Sequence, residues 1–427
     1  MIARAFYSTL FYLCTPVVLL RLWWRARRQP AYLHHVSERF GWYPPRVAAP
    51  LIWLHAVSVG ETRAAEPLIA ALLAAWPDHH LLLTHMTPTG REIGKTYVER
   101  HAGRVTQAYL PYDLPDGVRR FFSHFYPVVG LLMETELWPN LIAIARQRGI
   151  PMALLNARLS ARSQRGYQRF SSLARPAFSA LVCVSAQTVA DGERIAALGA
   201  PSVTVSGNLK FDVTPAAEQL QTGAQWKQAL GARPVWLAAS TREGEEALVL
   251  DAFPKLAARA PGLLLLLVPR HPQRFTEVAA LVGAQGLRLG RRSDGAPPTS
   301  ATEVWLGDSM GEMATYYAMA DLALIGGSLL PFGGQNLIEA AACGCPALIG
   351  PHSFNFAQAA EDAIASGAAR RVANIGEAML VIGELLDNRE ELATMREAAL
   401  AFSRAHRGAT ARTVALIGKL ISPRTAC

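Results

Sequence analysis

The feature that most constrains this chain is an alternation: short apolar runs trade places with Ala- and Leu-rich stretches of helical spacing, and after about residue 226 the alternation starts again. Apolar runs stand at Leu51–His55, Leu81–Thr84, Val128–Met133, Pro151–Asn156, Ala180–Ser185 and Val203–Val205. A second series stands at Val235–Ser240, Leu263–Pro269, Val304–Leu306, Leu322–Ile325 and Ala347–Ile349. Runs of this length between helical segments predict parallel strands buried on both faces, hence a doubly wound α/β sheet, and the restart predicts two of them. The 427 residues are enough for two such cores. The expected division is an N-terminal segment 1–30, a first Rossmann-like domain 31–213, a linker 214–226 and a second Rossmann-like domain 227–427 whose helical tail, from Glu377, packs across the domain junction.

Residues Ala5 to Leu20 are uncharged, and Arg21, Arg25, Arg27 and Arg28 follow with Trp23 and Trp24. An apolar run with aromatic residues and a basic cluster on its carboxyl side reads as a membrane anchor that leaves the rest of the protein in the cytoplasm. Pro16 interrupts the run, so a helix lying in the membrane interface is the alternative. No small-residue cleavage site follows it. The net charge of +9 points to an anionic partner, and the absence of any nucleic-acid-binding signature turns that toward phosphorylated substrates or acidic lipid. Five scattered cysteines, Cys14, Cys183, Cys343, Cys345 and Cys427, make no disulfide framework and fit a reducing compartment. Cys343 and Cys345 read as buried small residues.

In open α/β sheets ligands collect at the carboxyl ends of strands. The run Leu51–Val59 ends in Gly60-Glu61 ahead of a helix over Thr62–Trp76, which places Glu61 at such an end. Glu134-Thr135-Glu136 closes another run. Spaced acids of this kind hold a divalent ion in many sugar transferases, but these lie in the domain without the nucleotide site, and the turn announced by Pro139 aims them apart, so no metal is expected. Arg158, Arg162, Arg165 and Arg169 fall near one helical face, either a solvated basic face or a site for phosphate and anionic headgroups. In the second half, Pro269-Arg270-His271-Pro272, Gly311-Glu312-Met313 and Gly326-Gly327-Ser328 ahead of Gly333–Glu339 all stand at strand ends. They offer close backbone approach and unpaired N–H groups to a nucleotide phosphate, with Glu339 placed to accept from ribose hydroxyls.

His55–Glu61, Met86–Gly90, Leu110–Asp113, Met133–Asn140, Asn156–Ser160, Gly207–Asp212, Val268–Pro272 and Gly326–Ser328 together resemble, in order and over nearly the whole chain, the 3-deoxy-D-manno-octulosonic acid (Kdo) transferases of lipopolysaccharide assembly. The resemblance implies a GT-B fold with two Rossmann-like domains facing a central cleft. It also implies a CMP-Kdo donor and the acceptor lipid IVA at the cytoplasmic face of the inner membrane, among anionic lipids and with no cofactor. By motif, Glu61 looks like the general base, with Glu134 and Lys210 as transition-state stabilisers. Pro269, Arg270, Met310, Gly311, Glu312, Asn336, Leu337, Ile338 and Glu339 look like contacts to CMP. Gln335 stands where a His is common, and Leu337-Ile338 where a Pro-Leu pair is. The rival readings are another GT-B transferase or an epimerase using a UDP-sugar, which calorimetry with CMP against UDP separates, and a nucleotide-sugar binding protein without turnover.

Overall fold

The computed structural model describes residues 2–27, 29–45 and 49–421, so Arg28 of the basic cluster and Cys427 lie outside the described residues. The chain forms two compact units, residues 1–213 with 407–427, and residues 214–406. Each is built on a seven-stranded parallel sheet.

The first sheet comprises β1 (Leu51–His55), β2 (His80–His85), β3 (Val105–Tyr109), β4 (Val129–Met133), β5 (Met152–Ala157), β6 (Cys183–Ala186) and β7 (Val203–Val205), in the order β3-β2-β1-β4-β5-β6-β7. Every residue of β1, β4 and β5 is buried, because helices cover both faces and leave no side of the pleat to water. One core, around Trp53, Phe121, Phe122 and Leu154, lies on one face, and another, around Leu54, Leu68, Leu72 and Leu131, on the other.

The second sheet comprises β8 (Val235–Thr241), β9 (Leu264–Pro269), β10 (Leu289–Arg291), β11 (Val304–Leu306), β12 (Leu322–Ile325), β13 (Ala347–Ile349) and β14 (Ala369–Arg371), in the order β10-β11-β9-β8-β12-β13-β14. In both sheets the chain builds one side first and then crosses to the other at a central pair, β1 with β4 and β8 with β12. The carboxyl ends of those pairs are the topological switch points where such folds bind ligands.

Two expected boundaries change. Residues 214–226, expected as a polar, helix-like linker, belong to the second unit, where Ala217–Ala229 is a helix. It packs on the helix Met313–Met319 so closely that a Cβ on Gly223 would come within 2.3 Å of the Thr315 carbonyl oxygen. The C-terminal tail also divides. The helix Arg389–Ala405 packs on Leu337–Ala342 in the second unit, whereas Ala409–Ile421 returns to the first and packs on Glu66–Ala75. Asp212 fixes that return by accepting N–H bonds from Gly408 (2.6 Å) and Thr410 (2.5 Å). The helix expected over Thr62–Trp76 is two, Val59–Ala64 and Glu66–Ala75, since Pro67 cannot continue the first.

The N-terminal helix Ile2–Ala26 is long and apolar enough to cross a membrane by length and composition. Pro16 stands inside it.

Candidate active site

The candidate site begins at the turn after β1. Ser58 caps the helix Val59–Ala64, and Glu61, three residues on, turns its carboxylate back over the cap. Its Oε1 accepts from the Ser58 hydroxyl and its Oε2 from the Val57 N–H, both at 2.9 Å. This is a variant of the capping box in which the carboxylate takes the N–H of the residue before the cap, and it holds the carboxylate in one orientation at the switch point. Thr87 buttresses the turn by donating from its hydroxyl to the Val57 carbonyl at 3.2 Å.

Glu134 follows β4 directly, with φ at 59°. Few residues other than glycine adopt that conformation, and here it bends the chain so that the Glu134 N–H still reaches the Leu155 carbonyl (2.9 Å) while the side chain leaves the sheet. The Glu134 Oε1 takes a bond from Lys210 Nζ at 3.2 Å. Lys210 sits on the short turn Leu209–Asp212, whose N-cap Asn208 accepts from the Lys210 N–H at 3.0 Å. Asn156, at φ 51°, pins the same turn by accepting from the Leu209 N–H at 3.0 Å. The turn also touches the helix that carries Glu61. Glu61, Glu134 and Lys210 are therefore brought together in one unit from three separated stretches of sequence.

Glu136 points elsewhere, accepting from the Trp138 indole N–H at 2.8 Å, as the expected turn requires. Its charge still counts. Burial first and the neighbouring Glu134 second raise the Glu61 carboxyl from the usual range to about 7, with Glu136 adding to the rise and the Val57 and Ser58 bonds opposing it. A carboxyl at that value is half ionised near neutral pH, the condition under which a general base works best. Glu136 is itself raised, by burial and by Glu134.

The second unit presents a different surface at the ends of β8, β9, β11 and β12. Pro269 ends β9, and Arg270 then reaches the Gln335 side-chain oxygen through its Nε at 3.2 Å. Arg242, Arg270 and Arg274 surround His271, whose pKa falls from its ordinary value through burial first and then those three charges. Such a cluster suits a phosphate. Gly311 and Glu312 lie ahead of the helix Met313–Met319. Hydrogen bonds from Ser309 and Arg292 hold the Glu312 carboxyl below its ordinary value, although burial, the largest single influence, works the other way. Met310 is exposed. Asn336 caps the helix Leu337–Ala342 by accepting from the Ile338 N–H at 3.2 Å.

Leu337 and Ile338 are 2% and 1% exposed, so their side chains belong to the core. Glu339, one residue on, is half-buried. Arg158 precedes the helix Ala161–Arg169, so only Arg162, Arg165 and Arg169 of the basic quartet share it.

Glu245 was not singled out from sequence. It is 1% exposed and accepts four backbone N–H bonds: Oε2 from Arg242 (2.9 Å) and Gly327 (2.5 Å), Oε1 from Leu329 (3.0 Å) and Leu330 (3.3 Å). It thereby ties the glycine turn after β12 to the turn after β8. There a Cβ on Gly326 would stand 2.4 Å from the Ser240 carbonyl oxygen, so only glycine fits. The signal was present as Gly244-Glu245, the counterpart in the second sheet of Gly60-Glu61 in the first.

Residues 34–213 match the family model described as 3-deoxy-D-manno-octulosonic-acid transferase. The Bordetella pertussis 3-deoxy-D-manno-octulosonic acid transferase is 48% identical over 409 residues, 93% of this chain and 95% of that protein. The Haemophilus influenzae enzyme of the same name is 40% identical over 361 residues, 83% of each chain. The chain belongs to the Kdo transferase family. It is thus a glycosyltransferase, and its pair of parallel α/β sheets is of the GT-B type. A glycosyltransferase structure from Rickettsia africae shares that fold, with a TM-score of 0.61 at 11% identity over 88% of this chain and all of that one.

Proposed function

We propose that this enzyme transfers Kdo from CMP-Kdo to a sugar hydroxyl of lipid IVA, with inversion and without a metal, at the cytoplasmic face of the inner membrane. The observation that carries the reading is the Glu61 carboxyl, fixed by its capping box and raised to about 7 by burial beside Glu134. In a single in-line displacement the acceptor oxygen attacks the anomeric carbon of Kdo, Glu61 takes the hydroxyl proton, and the bond from that carbon to the phosphate oxygen breaks. One displacement inverts the centre. CMP departs with the electron pair, and Arg270, with Arg242 beside it, offsets the charge that grows on its phosphate. Pro269, Met310, Gly311, Glu312, Asn336 and Glu339, with the backbone of Leu337 and Ile338, hold the rest of CMP. Lys210 is the cation for Kdo's own carboxylate, and Glu134 positions Lys210.

The test is to incubate purified protein with CMP-Kdo and lipid IVA and weigh the product. A mass increase by Kdo units, unchanged by EDTA, is expected. Turnover of a UDP-sugar instead, or loss of activity on chelation with rescue by magnesium, would contradict the reading.

A further inference from the structure

The N-terminal helix Ile2–Ala26 is partly covered along one face. Tyr7, Phe11, Thr15, Leu22 and Ala26, spaced four or seven apart, are buried or half-buried, and the helix packs on Pro139–Gln147 and Ser171–Phe178. The docking is polar along the amino-terminal half of the helix. The Asn140 side-chain amide donates to the Ser8 hydroxyl at 2.9 Å, Tyr7 bonds to the buried Asp113, and the Tyr12 hydroxyl bonds to Asp116, which also pairs with Arg120 at 2.7 Å. The opposite face is an unbroken apolar stripe: Phe6, Leu13 and Leu20 are 71%, 72% and 63% exposed, in line with Ile2, Val17 and Trp24.

A helix that crossed the bilayer would carry its middle to the hydrocarbon centre, and here that middle is bonded to an Asp–Arg pair on the body of the protein. Dragging those charges into lipid, or breaking the bonds, is strongly unfavourable. Lying flat costs neither, because the polar face keeps its protein partners and the apolar face sinks about 5–10 Å into one leaflet.

The surroundings say which lipid. Residues 2–27 contain no Asp or Glu, nor do residues 158–178. The second stretch carries exposed Arg162, Arg165 and Arg169 and the 67% exposed Phe170, and it continues directly into the helix Ser171–Phe178 against which the N-terminal helix lies. We propose that the N-terminal helix and this arginine segment form one in-plane docking surface for an anionic bilayer, and that the helix lies in the interface without crossing. The proposal takes from the proposed function only that the protein works at a membrane. Its test reads depth, not Kdo transfer, so the two fail separately.

Phe6→Cys, Leu13→Cys and Leu20→Cys, each in the full chain with Cys14 and Cys427 replaced by Ser, are labelled with an environment-sensitive fluorophore. They are then bound to phosphatidylglycerol-containing vesicles and quenched by lipids carrying a spin label near the headgroup or near the bilayer centre. Equal, shallow depth at all three positions is expected. A Leu13 probe near the bilayer centre with the Phe6 and Leu20 probes at opposite interfaces would overturn the in-plane reading. Replacing Arg162, Arg165 and Arg169 with Glu should weaken partition into these vesicles about tenfold or more and leave partition into phosphatidylcholine unchanged. Equal partition into the anionic vesicles would overturn the choice of lipid.

Discussion

Glu61 and Glu245 occupy the same place in two copies of one fold: each follows a glycine, just past the first strand of a seven-stranded parallel sheet, at a switch point. Their employment is opposite. Glu245 is buried and takes four backbone N–H bonds, which spends its lone pairs on holding a glycine turn in shape. Glu61 takes one backbone N–H and one hydroxyl, is half-buried, and has two further carboxylates for neighbours. Topology decides where a carboxylate stands, and the supply of donors and like charges decides whether it holds structure or moves a proton. The surrounding charges follow the same division, with acids around Glu61 and Arg242, Arg270 and Arg274 beside the Glu245 turn.

The sharpest way to break this comparison is to exchange what each acid does. Glu61→Gln should lower kcat by about 10²–10⁴-fold, the contribution of a positioned base, while CMP binding by calorimetry stays intact. Equal loss of binding would make Glu61 structural like its counterpart. Glu245→Ala should do the reverse, leaving four N–H groups without their acceptor and lowering stability by about 3–5 kcal/mol in denaturant unfolding. The milder Glu245→Gln should raise the donor KM with kcat nearly kept, and a selective fall in kcat would contradict that. Smaller again, Arg270→Ala should raise the donor KM about tenfold to a hundredfold through one lost charge-assisted contact to phosphate, without changing the pH dependence of kcat/KM.

How much of this could be read from sequence differs between the fold and the site. The central strands are continuous apolar runs because both faces are covered, so their positions were plain. The strands missed, β3, β10 and β14, are all at or next to sheet edges: β10 and β14 are three residues each, and β3 carries the exposed Thr106 and half-buried Gln107. Edges are kept short and polar, which erases the signal. The tail was expected with the second domain, and its return to the first from Arg407 was not legible because its docking depends on Asp212, some two hundred residues earlier. In the site, Glu61 and Glu134 were legible from their places at strand ends, whereas their roles and Lys210 came only through motif resemblance. Sequence could not show that Glu134 turns out through a positive φ, that Asn156 pins the Lys210 turn, or that Leu337 and Ile338 face inward. Each depends on contacts between elements distant in sequence, not on local pattern.

The account rests on the ionisation of one carboxyl, and titrating Glu61 directly, by carbon-13 NMR of labelled glutamate alongside the pH dependence of kcat/KM, tests it most closely. Because the folded value is raised above the unfolded one, the native state binds the extra proton between about pH 4.5 and 7, and this site's contribution to stability falls as pH rises through that window. Activity should rise through the same interval with an apparent pKa near 7, and Glu134→Gln, which removes the largest neighbouring charge, should move the Glu61 titration to lower pH. A Glu61 that titrates near 4.5, with kcat/KM flat from there to neutrality, would contradict its role as the base.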